Sequence, residues 1–378
     1  MGTIHMVDLV SQYKNIENEI QSEMLKVLNT ASFINGPSVK DFQTAFEHYL
    51  GVKHVIPCAN GTDALQIALM SCNLNKGAEI LVPSFTYVAT VEVIALLGYR
   101  PVFVEVYPDT FNINIEDVQD KINDKTAAII PVHLYGQCSN IKPLIEIAQK
   151  HNLMVIEDTA QAIGANYTIE DGNTKKAGTL GNIGTTSFFP SKNLGCFGDG
   201  GAIMTNDDDL AKKMRMIANH GQIKKYYHDS IGINSRLDSL QAAVLKIKLK
   251  YLDDYCVARQ TVADKYDKAF GESSEIAIPK RSSFTSHVFH QYTVKLRHAQ
   301  KRDLLRDYLA SQGIPSMVYY PVPNHLQKAY TDYGYKEGDL PLTEDLCKRV
   351  VSFPIHTEMP VEQQDLIIDA IANFFVEQ

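Results

Sequence analysis

The sequence predicts an α/β protein, a large domain around a mostly parallel seven-stranded sheet followed by a smaller α+β domain. Three observations predict it. From about residue 40 to 205, helix-like stretches alternate with short apolar runs that end in polar or turn residues, the pattern of strands joined by crossover helices. Near residue 250 this alternation stops, and strand-like and helical stretches mix in another order. The 378 residues, 45% apolar and 21% charged, are enough to bury two cores. The domains are therefore placed at residues 1–250 and 251–378.

Strands are expected at 55–58, 79–82, 102–105, 127–132, 154–157, 185–189 and 202–204, each rich in apolar, branched or aromatic residues and bounded by turn formers. Between the first two, residues 63–70 put Ala64, Leu65, Ala68 and Leu69 on one face of a helix. A longer helical pattern runs from 239 to 263 through Leu240, Val244, Ile247 and Tyr251. In the second domain a strand is expected at 290–296 and a helix at 301–311. There are no internal repeats and no low-complexity segments.

A net charge of −8 argues against a broad grip on nucleic acid, which needs clustered Lys and Arg. The basic stretch at 246–250 reads as the polar side of a helix. Six scattered cysteines lack any C-x-x-C pair or zinc spacing, so reduced thiols are expected. No run approaches the roughly 18 apolar residues of a membrane helix, and the first residues lack a basic stretch followed by an apolar core. A cytoplasmic protein with no membrane partner is expected, and the sequon matches at Asn60 and Asn166 carry no expectation of glycosylation.

Four short stretches carry chemistry. In VIEDTAQ (155–161) two carboxylates stand where an apolar strand runs out, which aims Asp158 at a site beyond the strand end; capping of a following helix is the competing reading. In NGTDAL (60–65) a small-residue turn opens a helix, so the amides of Gly61, Thr62 and Asp63 suit a phosphate dianion, against an ordinary cap by Thr62 or Asp63. Phe85 and Tyr87 lie just past another strand, where a ring can stack on a flat ligand or pack inside. In SFFPSK (187–192) Lys192, taken alone, is a solvated loop lysine. There is no Walker A pattern, and the third glycine of G-x-G-x-x-G is missing after Gly198 and Gly200. Together, a lysine, a strand-end carboxylate, a phosphate-ready helix start and an aromatic plane are the groups pyridoxal phosphate requires.

These stretches, with GDGG at 198–201, GINSR at 232–236 and LQAA at 240–243, resemble the DegT/DnrJ/StrS family of nucleotide-sugar aminotransferases from about residue 5 to 375. The resemblance implies the fold type I (aspartate aminotransferase-like) architecture and pyridoxal phosphate as cofactor. Within the family, the phrases at 58–65, 187–192 and 234–237 are most similar to UDP-2-acetamido-2-deoxy-3-oxo-glucuronate 3-aminotransferases. It further implies that Lys192 is the Schiff-base lysine and proton shuttle, that Asp158 partners the pyridinium nitrogen, and that Gln161 contacts the ring's phenolic oxygen. Gly61, Thr62 and Ser187 resemble the phosphate cup, Tyr87 the stacking ring, and Asn234 the residue reaching the phosphate from a second subunit, which makes a homodimer with shared sites. Arg236 is expected either at the substrate's carboxylate or in a structural ion pair; Tyr319, where a histidine is frequent in relatives, and His325 are expected at the substrate. The implied reaction moves an amino group from L-glutamate, leaving 2-oxoglutarate, onto a keto sugar for bacterial surface polysaccharide (O-antigen or lipopolysaccharide). Alternatives are a UDP- or dTDP-linked 3-keto or 4-keto 6-deoxyhexose as acceptor, a sugar dehydratase, in which histidine replaces the lysine, and a regulatory sensor module, which adds a DNA-binding segment not seen before residue 40. No metal is expected: His287 and His290, three apart in a strand-like setting, face opposite sides.

Overall fold

A computed structural model of the chain describes residues 2–169 and 172–377. Its strands are β1 (His54–Cys58), β2 (Glu79–Pro83), β3 (Arg100–Val104), β4 (Thr126–Ile129), β5 (Met154–Asp158), β6 (Asn166–Thr168), β7 (Thr174–Lys176), β8 (Ile183–Ser187), β9 (Gly201–Thr205), β10 (Ile276–Ala277), β11 (Tyr292–Leu296) and β12 (Val350–Phe353). Seven of them form one sheet in the order β1-β9-β8-β5-β4-β2-β3. Only β9 runs against its neighbours, β1 and β8; the other pairs are parallel. The carboxyl ends of β1, β8, β5 and β2 therefore lie at one end of the sheet, where α/β proteins place their ligands.

The apolar residues of these strands serve two cores by strict alternation. Val55, Leu81, Val104, Ile129, Val155 and Met204 face one, with Phe42, Phe46, Leu144 and Leu245 from helices Pro37–Leu50, Ile141–His151 and Ser239–Leu249. Ile56, Val82, Phe103, Ala128, Ile156 and Ile203 face the other, with Leu65, Ile94 and Met214 from helices Gly61–Ser71, Ala89–Leu96 and Asp208–Ile217. Both faces are covered, as a mostly parallel sheet requires. A third core, from Val262 to Phe374, joins the three-stranded sheet β10-β11-β12 to helices Lys301–Ser311 and Val361–Glu377. Among the described residues no helix is long and apolar enough to cross a membrane.

Several expectations shift. The strand expected at 185–189 begins and ends two residues earlier, because pairing with β9 stops at Ser187; Phe188 turns into the core, and Phe189 is exposed. The strand expected at 127–132 ends at Ile129, where Pro131 follows without an N–H to offer the ladder. The helical pattern at 239–263 is two helices, Ser239–Leu249 and Leu252–Phe270; the amides of Lys250 and Tyr251 bond three residues back, a tightening that ends the first helix. Of the basic stretch, Lys246 and Lys250 do lie on a polar face, bonded to Asp41 at 3.0 Å and Glu19 at 2.8 Å, whereas Lys248 is buried beneath the Phe197 ring. The strand expected at 290–296 starts at Tyr292, after a corner at Phe289. His287 and His290 are both buried in that corner rather than on opposite faces of a strand, and among the described residues no group of three or more His, Cys, Asp or Glu is arranged to hold a metal.

Candidate active site

A cavity of about 690 Å³ opens at the carboxyl end of the sheet. Its floor is set by the β1 and β8 ends. Asn60 Oδ1 accepts the Asp63 N–H at 2.8 Å, so Asn60, not Thr62 or Asp63, caps the helix Gly61–Ser71. The amides of Gly61 and Thr62 then open this helix at the positive end of its dipole. Close packing dictates the glycines here: a Cβ on Gly61 would lie 2.7 Å from Ser187 Cβ, and one on Gly201, paired with both Cys58 and Ser187, would lie 2.3 Å from the Asn60 carbonyl oxygen. Gly61, Thr62 and Ser187 are thereby gathered into one cradle.

Asp158 ends β5 and is 5% exposed. Thr90 Oγ1 donates to its Oδ2 at 2.9 Å and the Ala160 N–H to its Oδ1 at 3.0 Å. No helix follows, so the capping reading of Asp158 does not hold. Next to it, Glu157 points the other way, into a closed polar nest. It accepts the ring N–H of His133 at 2.8 Å and the amides of Gly178, Leu180 and Gly181. His133 Nδ1 accepts the Ser139 N–H, which puts the ring proton on Nε2. Burial alone would push the Glu157 carboxyl up; the His133 and amide hydrogen bonds outweigh it and hold the group below the usual glutamate range. The His133 amide also donates to the Asp158 carbonyl at 3.0 Å, so this nest fixes the strand end that presents Asp158. Gln161 is held equally firmly, accepting the Tyr135 N–H at 2.8 Å and donating to Tyr320 Oη at 2.7 Å.

Lys192 sits in the loop between β8 and β9, pinned by its own amide to the Phe189 carbonyl and by Asn193, which donates to the Val288 carbonyl at 3.0 Å. Its side chain is half-buried in the cavity wall with Asp158 and His290. Burial pulls its ammonium down to about 8, while the Asp158 charge pulls the other way. A solvated loop lysine does not describe it. His290 is kept well below the ordinary histidine value by burial and by the positive charges of Lys192 and Arg259, so its ring is neutral. Three polar atoms in the cavity wall are buried with no hydrogen-bond partner: Thr86 Oγ1, His290 Nδ1 and Gln291 Oε1. Native interiors seldom leave such atoms idle, so their cluster around this cavity sets it apart from ordinary core. A tight cradle for a dianion, a fixed carboxylate, an amine and orphaned donors and acceptors together fit pyridoxal phosphate.

The family model of the DegT/DnrJ/EryC1/StrS aminotransferases matches residues 14–372. The chain belongs to this family. Among curated relatives it is 45% identical to a protein named "Pleiotropic regulatory protein" from Geobacillus stearothermophilus, the match covering 98% of each chain. It is 40% identical to the UDP-2-acetamido-2-deoxy-3-oxo-D-glucuronate aminotransferase of Pseudomonas aeruginosa over 98% of this chain and 100% of that one. Among solved structures, NtdA from Bacillus subtilis with the bound cofactor PMP superposes with a TM-score of 0.88 at 30% identity, covering 99% of this chain and 83% of that one. The sheet order and small domain described above are thus those of a fold type I aminotransferase.

In this DegT/DnrJ/EryC1/StrS aminotransferase, Gly61, Thr62, Tyr87, Asp158, Gln161, Ser187, Lys192 and Tyr319 all line the one cavity. Tyr87 is 60% exposed, a ring free to cover a ligand. Asn234 and Arg236 lie outside it. Asn234 is exposed, and Arg236 Nη2 donates to Asn219 Oδ1 at 3.2 Å; among the described residues it has no carboxylate partner, which removes the ion-pair reading. His325 is corrected: it is sealed away from the cavity, one ring nitrogen bonded to Ser84 Oγ at 2.8 Å and the other to Glu344 Oε1 at 3.1 Å, so it braces the segment after β2. Thr90 and Tyr320 join the site without having been singled out, and His290, weighed in the sequence only as half of a metal pair, joins it too. Tyr320 is in the same phrase as Tyr319, but its left-handed backbone, φ 62°, turns it toward Gln161, and nothing in a Tyr-Tyr pair announces that.

Proposed function

We propose that this protein is a homodimeric, pyridoxal-phosphate-dependent aminotransferase that moves an amino group from L-glutamate onto the keto carbon of a nucleotide-linked sugar. UDP-2-acetamido-2-deoxy-3-oxo-glucuronate is the acceptor we put first, and bacterial surface polysaccharide the destination. The observation that carries the reading is the meeting of Lys192, Asp158 and the Gly61, Thr62 and Ser187 cradle in one cavity. The 40% identity with the Pseudomonas enzyme supports the choice of sugar.

When bound, pyridoxal phosphate supplies an aldehyde that takes up the donor's nitrogen and a ring that absorbs the electron pair released as a C–H bond breaks. The cradle amides and Ser187 would hold its phosphate, Tyr87 would cover its ring, and Gln161 would reach its phenolic oxygen. Asp158, with both oxygens fixed by Thr90 and Ala160, would face its ring nitrogen and keep that nitrogen protonated. Lys192 would take the proton from the amino acid's α-carbon and would serve as the acid on the ring side, work for an amine that is partly uncharged near neutral pH. Asn234, exposed on its own subunit, serves the partner's phosphate in this reading.

Incubation with UDP- and dTDP-linked keto sugars plus L-glutamate, following 2-oxoglutarate release, tests this directly. Release with the 3-keto uronate alone supports the reading in full; release only with a 6-deoxy keto sugar moves the acceptor to that class. Loss of oxygen without gain of nitrogen in the product would make the protein a dehydratase, against Lys192. The regulatory reading has the name of the Geobacillus relative in its favour, and it takes over if no sugar is turned over and the protein shifts DNA at physiological salt.

A further inference from the structure

Residues 287–291 make a sharp corner over the cavity, just before β11. Phe289 sits at φ 44°, in the left-handed region that bulky side chains avoid. Strain of this kind persists only where the surroundings over-determine it. Here Arg259 Nη1 donates to the carbonyls of Phe289, His290 and Ile355 at 3.2, 3.2 and 3.0 Å, and Gln260 Nε2 donates to the His287 carbonyl at 3.0 Å. The His287 ring lies flat on Phe289, centroids 3.7 Å apart, with Arg281 over the same ring at 4.7 Å. Gly136 passes so near that a Cβ there would meet the Phe289 and His290 amide nitrogens at 2.8 and 2.9 Å. The result of all this bracing is one placement: His290 in the cavity wall beside Lys192.

The His290 ring is not spent on the fold. Nδ1 is sealed from solvent without a hydrogen-bond partner. A proton on the sealed Nδ1 would be a buried donor with nothing to donate to, so we assign the lone pair there and the single proton of the neutral ring to Nε2. That leaves Nε2–H as the group the ring offers to the cavity. The charges that act on the ring are the positive ones of Lys192 and Arg259.

We propose that His290 is a further substrate-contacting residue, donating from Nε2 to an oxygen of the bound substrate close to the carbon that Lys192 serves, with Arg259 as the positioning residue that holds the corner. The proposal rests on the aminotransferase reading above. An oxygen acceptor is chemistry shared by the amino acid's carboxylate and the sugar's hydroxyl and keto oxygens, and the two half-reactions tell these apart.

The test compares H290Q, whose amide nitrogen falls near the Nε2 position, with H290N, whose amide reaches only the Nδ1 position, and H290F, which keeps ring volume without a donor. Each is measured in the half-reaction with L-glutamate and in the one with the UDP-linked 3-keto uronate, alongside cofactor absorbance and thermal midpoint. We expect kcat/KM of one half-reaction to fall roughly ten- to a hundredfold in H290N and H290F, the loss typical of an aimed donor, and H290Q to recover about tenfold of it. Cofactor absorbance stays in all three, and R259K shows the same selective loss. If H290N does not fold, H290Q against H290F carries the comparison. Equal losses in H290Q, H290N and H290F, or no loss in any, overturns the proposal. A wild-type protein that transfers no amino group in either half-reaction overturns the reading beneath it, and the proposal with it.

Discussion

Lys192→Met, made in the cofactor-free protein, isolates what the cavity does to this amine. An ordinary lysine holds its proton to about 10.5, and in the fold Lys192 falls to about 8. At about 1.4 kcal/mol for each tenfold change, keeping Lys192 charged below pH 8 costs the fold at most ~3 kcal/mol. The side chain is half-buried, and water at the cavity mouth screens it, so about 1–2 kcal/mol is the working figure. The folded value lies below the unfolded one, so between pH 8 and 10.5 the unfolded chain binds the extra proton and wild-type stability gains as pH rises through that window. Methionine has nothing to titrate. The substitution therefore stabilises the protein most at pH 7, and its advantage narrows by about 1 kcal/mol, or ~2 °C in midpoint, by pH 9.5. Melting both proteins across pH 7 to 9.5 and taking the difference cancels every group they share, including the buried Lys248. A difference that stays flat or widens with pH refutes the desolvated amine, whatever constant offset the methionine packing adds.

Three other outcomes follow from the same geometry. Gly201→Ala forces a methyl group to within 2.3 Å of the Asn60 carbonyl, so β9 and the turn after β1 must part; we expect a loss of about 2 kcal/mol or more and weakened cofactor binding, and wild-type melting with wild-type cofactor affinity would contradict this. Glu157→Gln breaks a closed nest whose carboxylate is held below its ordinary value, so its stability is present at pH 7 and lost as pH falls through the lowered value; denaturation at pH 7 and at pH 4 should show a deficit of roughly 3 kcal/mol that shrinks in acid, and an equal deficit at both sinks the account. For shared sites, Lys192→Ala and Asn234→Ala proteins, each nearly inactive, should regain about a quarter of wild-type activity after subunit exchange, since half the dimers are mixed and each of these has one intact site. No recovery, with mixed dimers shown to form, means that Asn234 does not serve a partner.

The sheet was legible because its physics is local. Runs such as 79–82 and 154–157 carry alternating apolar residues for two cores, and the helix that starts at Gly61 needs only its small-residue turn to be seen. Ends were less legible because pairing partners decide them: nothing inside SFFPSK says that β9 releases β8 at Ser187 and sends Phe188 inward. Lys248 shows the same limit from the other side, a lysine in a basic run that tertiary packing buries.

The site divides along the same line. Asp158 and Lys192 could be paired from the sequence because each sits at or just after the end of a strand, and strand ends in a parallel sheet converge. His325 was misread, and His290 was weighed only for a metal, for one reason: both lie after the last strand of the large sheet, where a side chain's direction depends on backbone turns. Ser84 and Glu344 close on His325 from segments 241 and 19 residues away in sequence, and they consume both its nitrogens. At His290 the decisive element is Phe289, whose left-handed backbone is invisible in its residue type and is imposed by Arg259, Arg281 and the close passage of Gly136. Residues aimed by a strand end are thus readable from pattern, and residues aimed by an imposed corner are not. The second kind has to be sought where strain and idle polar atoms coincide, which in this protein is at His290.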